Sequence, residues 1–297
     1  MNKTLGGGEM TSSSPTGNKE EKMCIASEIT TLCDKHAKFK AIEQRSAKMG
    51  SVPQDTYLVI RLDGIGLSKR CLKDHLENKL FQKIMLKAAQ DTYYVMRRKT
   101  PSNAQQIFLG VLIASDEVSF ILNTSKSYLD HSIMKLVTTI ASTFSCFFTK
   151  NGLAQGPQTK LSGSFDGRPL VLSTTEEVKE YVAYRAATYN RNTMAKALRL
   201  KGVPDEELFG DNENDTEYYF EKYRELRLST EDINKGCIFL SPCKDNSKLT
   251  SYQNKSLSKF MPLYSRQIDF TEQNLRELNS STRSEYDDHK ELSTIPS

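Results

Sequence analysis

Acidic residues follow two short apolar runs of this chain, and they are the residues best suited to chemistry. Asp63 follows the run Leu58–Ile60, while Asp116 and Glu117 lie between apolar runs at 107–114 and 118–122. If these runs are adjacent strands, the carboxylates meet at one edge of the sheet. Mg²⁺ prefers oxygen ligands of this type, and two such ions about 4 Å apart can activate a hydroxyl and stabilise a leaving oxygen in phosphoryl transfer. The pattern therefore indicates a metal–nucleotide site.

The segment after Asp63 reads Gly64-Ile65-Gly66-Leu67-Ser68. Glycines there allow backbone N–H groups to turn toward a triphosphate. A simpler interpretation exists for each segment. Asp-Gly after a strand is a common turn, and Ser-Asp-Glu between apolar runs can be the tip of a hairpin. The residues alone leave both interpretations open.

The elements that must position these carboxylates lie in roughly residues 25–240, where apolar patterning is dense. Periodicity predicts helices over 23–50, 77–98, 128–149 and 175–201. It predicts strands over 57–62, 107–114, 118–122, 169–173 and 237–240. This order predicts an α+β fold with helices on one face of a sheet. The expected organisation is a disordered N-terminal tail over 1–22, one domain over 23–240, and a polar, mostly irregular C-terminal tail over 241–297.

Composition excludes several classes of protein. The 41 basic and 37 acidic residues give a net charge of only +4, too small to indicate a nucleic-acid partner by itself. No run approaches the ~20 apolar residues of a membrane span, and no secretory signal is visible. The six cysteines form no CxxC pair, which predicts reduced thiols in a cytoplasmic protein. The four scattered histidines argue against a zinc site.

Five segments, in order along 57–240, resemble motifs of the tRNA-His guanylyltransferase family. Residues 59–68 resemble its IRxDGRGFH segment, and 114–120 resemble its QSDExSF hairpin. Residues 165–168 match its FDGR, 181–192 resemble its YxxWRQxDxxxN helix, and 234–237 resemble its RKGT. The resemblance implies a polymerase-palm-like, ferredoxin-like antiparallel sheet. It also implies a 3′–5′ nucleotidyltransferase that adds a nucleotide to the 5′ end of tRNA, with GTP and ATP as substrates and a homodimeric or homotetrameric assembly.

The same resemblance assigns roles to particular residues. Asp63, Asp116 and the Gly64 carbonyl would hold two Mg²⁺ ions, with Asp63 and Asp116 as catalytic residues. Backbone N–H groups across Gly64–Ser68, including those of Ile65, Gly66 and Leu67, would hold the triphosphate. Ser115 would contact the nucleotide beside Asp116. Glu117 follows Asp116 on an alternating strand, so a structural role is at least as well supported for it.

The predicted helix over 175–201 carries a signal of its own. No acidic residue occurs between Glu180 and Asp205, and five side chains fall within an ~80° stripe at helical spacing: Arg185, Thr188, Asn192, Lys196 and Arg199. A solvated helix face is the usual explanation of such a run. Because Arg185 and Asn192 also match the family motif, we favour binding of phosphates from tRNA or a triphosphate. Lys235 is a further candidate for a phosphate contact.

The sequence also departs from the motifs. Ile65 replaces an Arg, Thr188 replaces an Asp, Asn190 stands where some members carry His, and Tyr184 replaces a Trp. The pattern is therefore closer to the divergent branch of the family, which repairs 5′-truncated tRNAs against a template. Two alternatives stay open: a catalytically weakened relative that binds tRNA or serves in assembly, and another palm-like enzyme such as a nucleotide cyclase.

Overall fold

The computed structural model describes residues 29–67, 80–98, 108–124, 129–156, 161–210, 215–228, 237–242 and 249–253. Its helices are α1 (His36–Ser46), α2 (Leu80–Arg98), α3 (Ile133–Leu153), α4 (Thr175–Leu200), α5 (Asp205–Phe209) and α6 (Thr216–Glu225). Its strands are β1 (Tyr57–Gly64), β2 (Phe108–Ala114), β3 (Glu117–Asn123), β4 (Phe165–Leu172), β5 (Cys237–Pro242) and β6 (Leu249–Gln253). None of these helices is long and apolar enough to cross a membrane.

The described strands form one antiparallel sheet in the order β4-β1-β3-β2-β5-β6. The chain path β1-α2-β2-β3-α3-β4, with spatial order 4-1-3-2, is the ferredoxin-like arrangement. The predicted α+β fold is therefore confirmed. β1 lies between β3 and β4, so the end of the strand that carries Asp63 has a neighbour on each side.

Helices cover both faces of the sheet, whereas the sequence led us to expect one covered face. Leu58 and Ile60 point into a core with α2 and α3, while Val59 points into a second core with α1, α4 and α6. All three side chains are fully buried. Successive residues of a strand point to opposite faces, so a central strand that is apolar on both faces needs a cover on each. The apolar run 58–60 already carried this information.

Several boundaries differ from the predicted ones. The helix expected over 23–50 is interrupted by a turn at 34–35, with residues 29–33 helical before it. α5 and α6 were not predicted. β6 pairs with β5 and lies inside 241–297, which was expected to be mostly irregular, so the sheet extends beyond residue 240. The tail expected over 1–22 lies outside the described residues and stays a prediction.

Candidate active site

Asp63 and Asp116 come to the same edge of the sheet because β1 and β3 are adjacent, as the sequence predicted. Asp63 is the register partner of Glu117 across these strands. The Gly64 N–H donates to the Asp116 carbonyl oxygen at 3.1 Å, which joins the end of β1 to the turn between β2 and β3. Ser115 adopts φ = 63° in that turn, and this left-handed conformation lets two residues reverse the chain.

A cavity of about 320 Å³ opens at this edge. One wall is formed by the strand ends and the turn, with the side chains of Asp63, Ser115, Asp116 and Glu117. The opposite wall belongs to α4, with the side chains of Arg185, Tyr189, Asn192, Lys196 and Arg199. An acidic wall therefore faces a basic wall across one cavity, an arrangement that can hold a cation and a phosphate side by side.

The acidic wall carries negative charge that is not fully balanced. Burial, together with the neighbouring carboxylates of Glu117 and Asp116, raises the pKa of Asp63 from 3.8 to about 6. A divalent cation held by Asp63, Asp116 and the Gly64 carbonyl would offset this charge, and these oxygen donors fit Mg²⁺. The described residues contain no group of three or more His, Cys, Asp or Glu side chains arranged to hold a metal. Binding of Mg²⁺ at this site would therefore depend on the two carboxylates and the backbone carbonyl.

Lys196 reaches across the cavity from α4 to the turn. Its Nζ donates to Ser115 Oγ at 2.9 Å and lies 3.9 Å from Asp116 Oδ1. Its side chain is 14% exposed, and burial lowers its pKa although Asp116 opposes that change. Lys196 thus brings one positive charge to the carboxylates, next to the place where a phosphate would lie.

Arg185 was predicted as a phosphate contact, but the structure places it in an ion pair. Its guanidinium pairs with the Glu117 carboxylate, donates to Tyr184 Oη at 3.2 Å, and is 7% exposed. Although burial opposes the charge, Glu117 raises the pKa of Arg185 above its ordinary value. Glu117 lines the same cavity as Asp116, contrary to the alternation argument, because Asp116 lies in the turn and β3 begins only at Glu117.

The other residues of the predicted α4 stripe lie either in the protein interior or at the rim of the cavity. Thr188 is buried, and its hydroxyl donates to the Tyr184 carbonyl at 2.9 Å. Asn192 is exposed and lines the cavity. Arg199 Nε donates to Asp205 Oδ1 at 2.6 Å while its side chain also lines the cavity. Lys196 and Asn192 therefore stay the best-placed members of the stripe for a phosphate.

Some backbone N–H groups of the glycine segment after Asp63 already form hydrogen bonds within the fold. The Gly64 N–H bonds the Asp116 carbonyl, and the Ile65 N–H donates to the Ser164 carbonyl at 3.0 Å. The Leu67 side chain is fully buried, and Gly66 has φ = 67°. The prediction that N–H groups of this segment hold a triphosphate therefore now concerns Gly66 and Leu67. Ser68 and Lys235 lie outside the described residues.

A buried ionic network that was not predicted supports the strand ends. Glu43 of α1 is 6% exposed and accepts from Arg61 at 3.1 Å, with Arg168 at 3.6 Å. Arg168 also bonds Asp166 at 3.1 Å, and Asp166 is the register partner of Asp63 on β4. The signal available in the sequence was a charged residue inside an apolar strand, Arg61, which must find a partner when buried.

Two solved structures resemble this chain. A bacterial tRNA(His) guanylyltransferase-like protein in complex with ATP aligns with TM-score 0.56 and 16% identity, over 78% of this chain and 98% of that protein. The tRNA(His) guanylyltransferase of Saccharomyces cerevisiae aligns with TM-score 0.50 and 19% identity, over 71% and 95% respectively. At these identities the likeness concerns the fold. The solved structures therefore agree with an α+β domain that has a ferredoxin-like order of strands.

The sequence comparisons find a similarity over the same part of the chain. The tRNAHis guanylyltransferase family model matches residues 36–173. Two curated relatives are tRNA(His) guanylyltransferases, from Neurospora crassa (28% identical over 163 residues) and Debaryomyces hansenii (26% over 165 residues). Through this segment, the chain is similar to the tRNA-His guanylyltransferase family. The matches cover 54% and 53% of this chain, which spans about half the length of the curated relatives, 53% and 58%.

Proposed function

We propose that this chain is a Mg²⁺-dependent nucleotidyltransferase that adds a GTP-derived nucleotide to the 5′ end of tRNA in the 3′–5′ direction. The reaction would be that of tRNA-His guanylylation or of templated 5′-end repair. One observation carries the proposal: Asp63 and Asp116 line a single cavity whose opposite wall is basic, and both lie within the segment that matches the family. The relatives' names supply the substrate class.

Each wall of the cavity has its own task in this proposal. Asp63, Asp116 and the Gly64 carbonyl would hold two Mg²⁺ ions, which when bound activate a 3′-hydroxyl and stabilise the leaving oxygen. Lys196 and Asn192 bind phosphate oxygens from the α4 side, and the N–H groups of Gly66 and Leu67 bind the triphosphate. Glu117 and Arg185 neutralise each other and fix the distance between β3 and α4, because both are held in one ion pair.

The nucleotides and the tRNA meet at the carboxylates. The 3′-hydroxyl of the incoming nucleotide attacks an activated 5′ phosphate of the tRNA, and pyrophosphate leaves from a 5′ triphosphate. A 5′ monophosphate must first receive AMP from ATP, with release of pyrophosphate, and AMP then leaves when the 3′-hydroxyl attacks the 5′ phosphorus. ATP is thus the activating substrate and GTP the added one. We further propose that the chain acts in the cytoplasm as a homodimer or homotetramer; among the described cysteines, Cys33, Cys146 and Cys237 are free thiols, consistent with a reducing compartment.

A second candidate function is a tRNA-binding or assembly subunit without turnover. The observation that favours it is the Lys196 ammonium, which already stands beside Asp116 where a cation would bind. The replacements at Ile65 and Thr188 also favour a non-catalytic subunit, since both positions differ from the family motif. This candidate predicts that the chain binds tRNA and transfers no nucleotide to it.

One assay separates the two candidates. The protein is incubated with Mg²⁺, labelled GTP and tRNA that lacks its 5′ nucleotide, in a 5′-triphosphorylated form and in a 5′-monophosphorylated form with ATP. Label in both RNAs supports transfer with activation, and label in the triphosphorylated RNA alone supports transfer without it. Binding of tRNA without label in any substrate would favour the non-catalytic subunit.

A further inference from the structure

Phe209 is an aromatic residue at the rim of the cavity, outside every motif discussed above. It is the last residue of α5, is 42% exposed, and lines the same cavity as Asp63 and Asp116. Single exposed apolar side chains are common on protein surfaces. Phe209 differs from them because it forms part of a cavity wall whose other members are mostly charged or polar.

The backbone around Phe209 is fixed by its neighbours. Leu208 is fully buried, and its carbonyl accepts the Tyr219 hydroxyl of α6 at 2.7 Å. The Gly210 N–H donates to the Glu206 carbonyl at 3.0 Å, and a Cβ at Gly210 would lie 2.4 Å from that same oxygen. The ring of Phe209 is therefore presented to the cavity by a short helix that is anchored on both sides.

One face of the Phe209 ring is covered by Arg199. The guanidinium carbon lies 4.8 Å from the ring centroid, and the Asp205 carboxylate at 2.6 Å holds the same guanidinium. A planar guanidinium over a phenyl ring is a favourable cation–π arrangement. Since the residue is 42% exposed, part of the ring stays open to a second planar group.

The position along α4 relates this ring to the carboxylates. Lys196 bonds Ser115 beside Asp116, and Arg199 follows three residues later. At 1.5 Å per residue these two positions are about 4.5 Å apart along the helix axis. Because Lys196 and Phe209 also line one cavity, a nucleotide with its phosphates near Lys196 can place its base on the ring that Arg199 covers.

We propose that Phe209, with Arg199 behind it, is a stacking platform for a nucleobase. Stacking of a base on an aromatic ring contributes about 1–3 kcal/mol and accepts any base, because every base has a π face. The base comes from a free nucleoside triphosphate or from an unpaired nucleotide at the tRNA end. This inference rests on the proposed function, since it assumes that nucleotides enter this cavity.

The test compares Phe209→Leu and Phe209→Ala with wild type, using equilibrium binding of GTP, of ribose 5-triphosphate without a base, and of 5′-truncated tRNA. Phe209→Leu keeps an apolar side chain and removes the π face, and Phe209→Trp restores a larger π face. Leu226→Ala is the matched control, because Leu226 is 40% exposed and lies at the end of α6. Thermal unfolding of each variant checks that it is folded.

We expect Phe209→Leu to weaken binding about 10-fold for the ligand whose base stacks, the fold-change that corresponds to roughly 1.4 kcal/mol. Phe209→Trp and Leu226→Ala should stay within twofold of wild type, and the baseless triphosphate should bind all variants equally. A loss for GTP alone identifies a free nucleotide, and a loss for tRNA alone identifies an RNA base. Equal affinity of wild type and Phe209→Leu for both ligands would overturn the platform.

The proposed function fails in a different way. If wild type binds GTP or tRNA through Phe209 and transfers no label, the platform stands and the enzyme activity does not. If wild type binds neither ligand, both proposals are wrong.

Discussion

At the scale of single residues, the ionised form of Asp63 is costly in the fold. Its folded pKa of about 6 exceeds the ordinary 3.8, so its stabilising contribution is full below pH 3.8 and is lost as the pH rises through about 6. Asp63→Asn keeps the shape and removes the charge. We expect it to raise the free energy of unfolding at pH 7 by roughly 1 kcal/mol, after allowance for solvent screening, and to change little at pH 4.

Urea denaturation of wild type and Asp63→Asn between pH 4 and pH 8 measures this difference. Asp130→Asn is the control, because Asp130 is exposed and its hydrogen bond with Lys135 lowers its pKa. That variant should show no gain at pH 7. A loss of stability at pH 7 in Asp63→Asn would show instead that the Asp63 carboxylate is favourably paired in the folded protein.

The same carboxylates predict how the protein responds to a divalent cation. Mg²⁺ at ten times its dissociation constant should raise the free energy of unfolding of wild type by about 1.4 kcal/mol. Differential scanning fluorimetry with Mg²⁺, and again after EDTA, follows this effect. The Asp63→Asn/Asp116→Asn double variant should not respond. An equal rise in the double variant would place the cation elsewhere.

The ion pair between Arg185 and Glu117 gives a further prediction about a single residue. Arg185→Met leaves Glu117 without its counter-ion in a mostly buried position, which should cost about 3 kcal/mol of unfolding free energy. Arg199→Met on the same helix is the control: its partner Asp205 is 60% exposed, so its loss should cost under about 1 kcal/mol. Guanidinium denaturation measures both. Equal losses would mean that Arg185 is not a structural counter-ion.

Residue by residue, the sequence predicted the acidic wall better than the basic one. Asp63 and Asp116 could be predicted because each follows an apolar run, and adjacent strands bring such positions together. The pairing of Arg185 with Glu117 could not, since it depends on the packing angle of α4 across the sheet. Phe209 was missed because its position follows from the way α5 packs between α4 and α6, which no local pattern shows.

At the scale of elements, α3 holds the segment that supports the loop after Asp63. Thr149 Oγ1 accepts from the Gly163 N–H at 3.2 Å, and Ser145 Oγ accepts from the Phe165 N–H at 3.1 Å. Between these two contacts lies Ser164, whose carbonyl accepts the Ile65 N–H. A change in how α3 packs on this segment therefore reaches the candidate active site through the backbone.

Gly152 of α3 provides a test of this packing. A Cβ there would lie 1.6 Å from the Leu161 carbonyl oxygen, so Gly152→Ala must displace the backbone. We expect a loss of at least about 2 kcal/mol in unfolding free energy, and Gly50→Ala, with nothing within 4 Å of its Cβ, should stay within about 0.5 kcal/mol. Thermal and urea unfolding provide the measurement. A Gly152→Ala protein as stable as wild type would contradict this packing.

Helices and strands with a clear apolar periodicity could be predicted from the sequence, whereas short elements and elements rich in polar or charged residues could not. The strand that ends at Asp63 and the long helix α4 follow directly from their apolar spacing. α6 was missed although Tyr219, Phe220 and Tyr223 are buried at helical spacing, because charged residues separate them. β6 was missed since Leu249–Gln253 is polar and takes its conformation from pairing with β5.

At the scale of the whole molecule, a net charge of +4 hides a separation of charge within one cavity. The carboxylates stand on the sheet and the cations on α4, and only the fold brings the two walls together. The overall composition could not predict this arrangement. The ordered motifs could, because they placed acidic strand ends and a basic helix in one domain.

Single-turnover transfer of labelled GTP to a 5′-triphosphorylated, 5′-truncated tRNA tests the roles of Asp63 and Asp116 directly. We compare wild type with Asp63→Asn and Asp116→Asn, and with Asp130→Asn as the exposed control. Loss of metal-assisted stabilisation worth about 4 kcal/mol predicts a roughly 10³-fold slower transfer in the first two variants and an unchanged rate in the third. Transfer at the wild-type rate in Asp63→Asn and Asp116→Asn would contradict the site proposed for this chain.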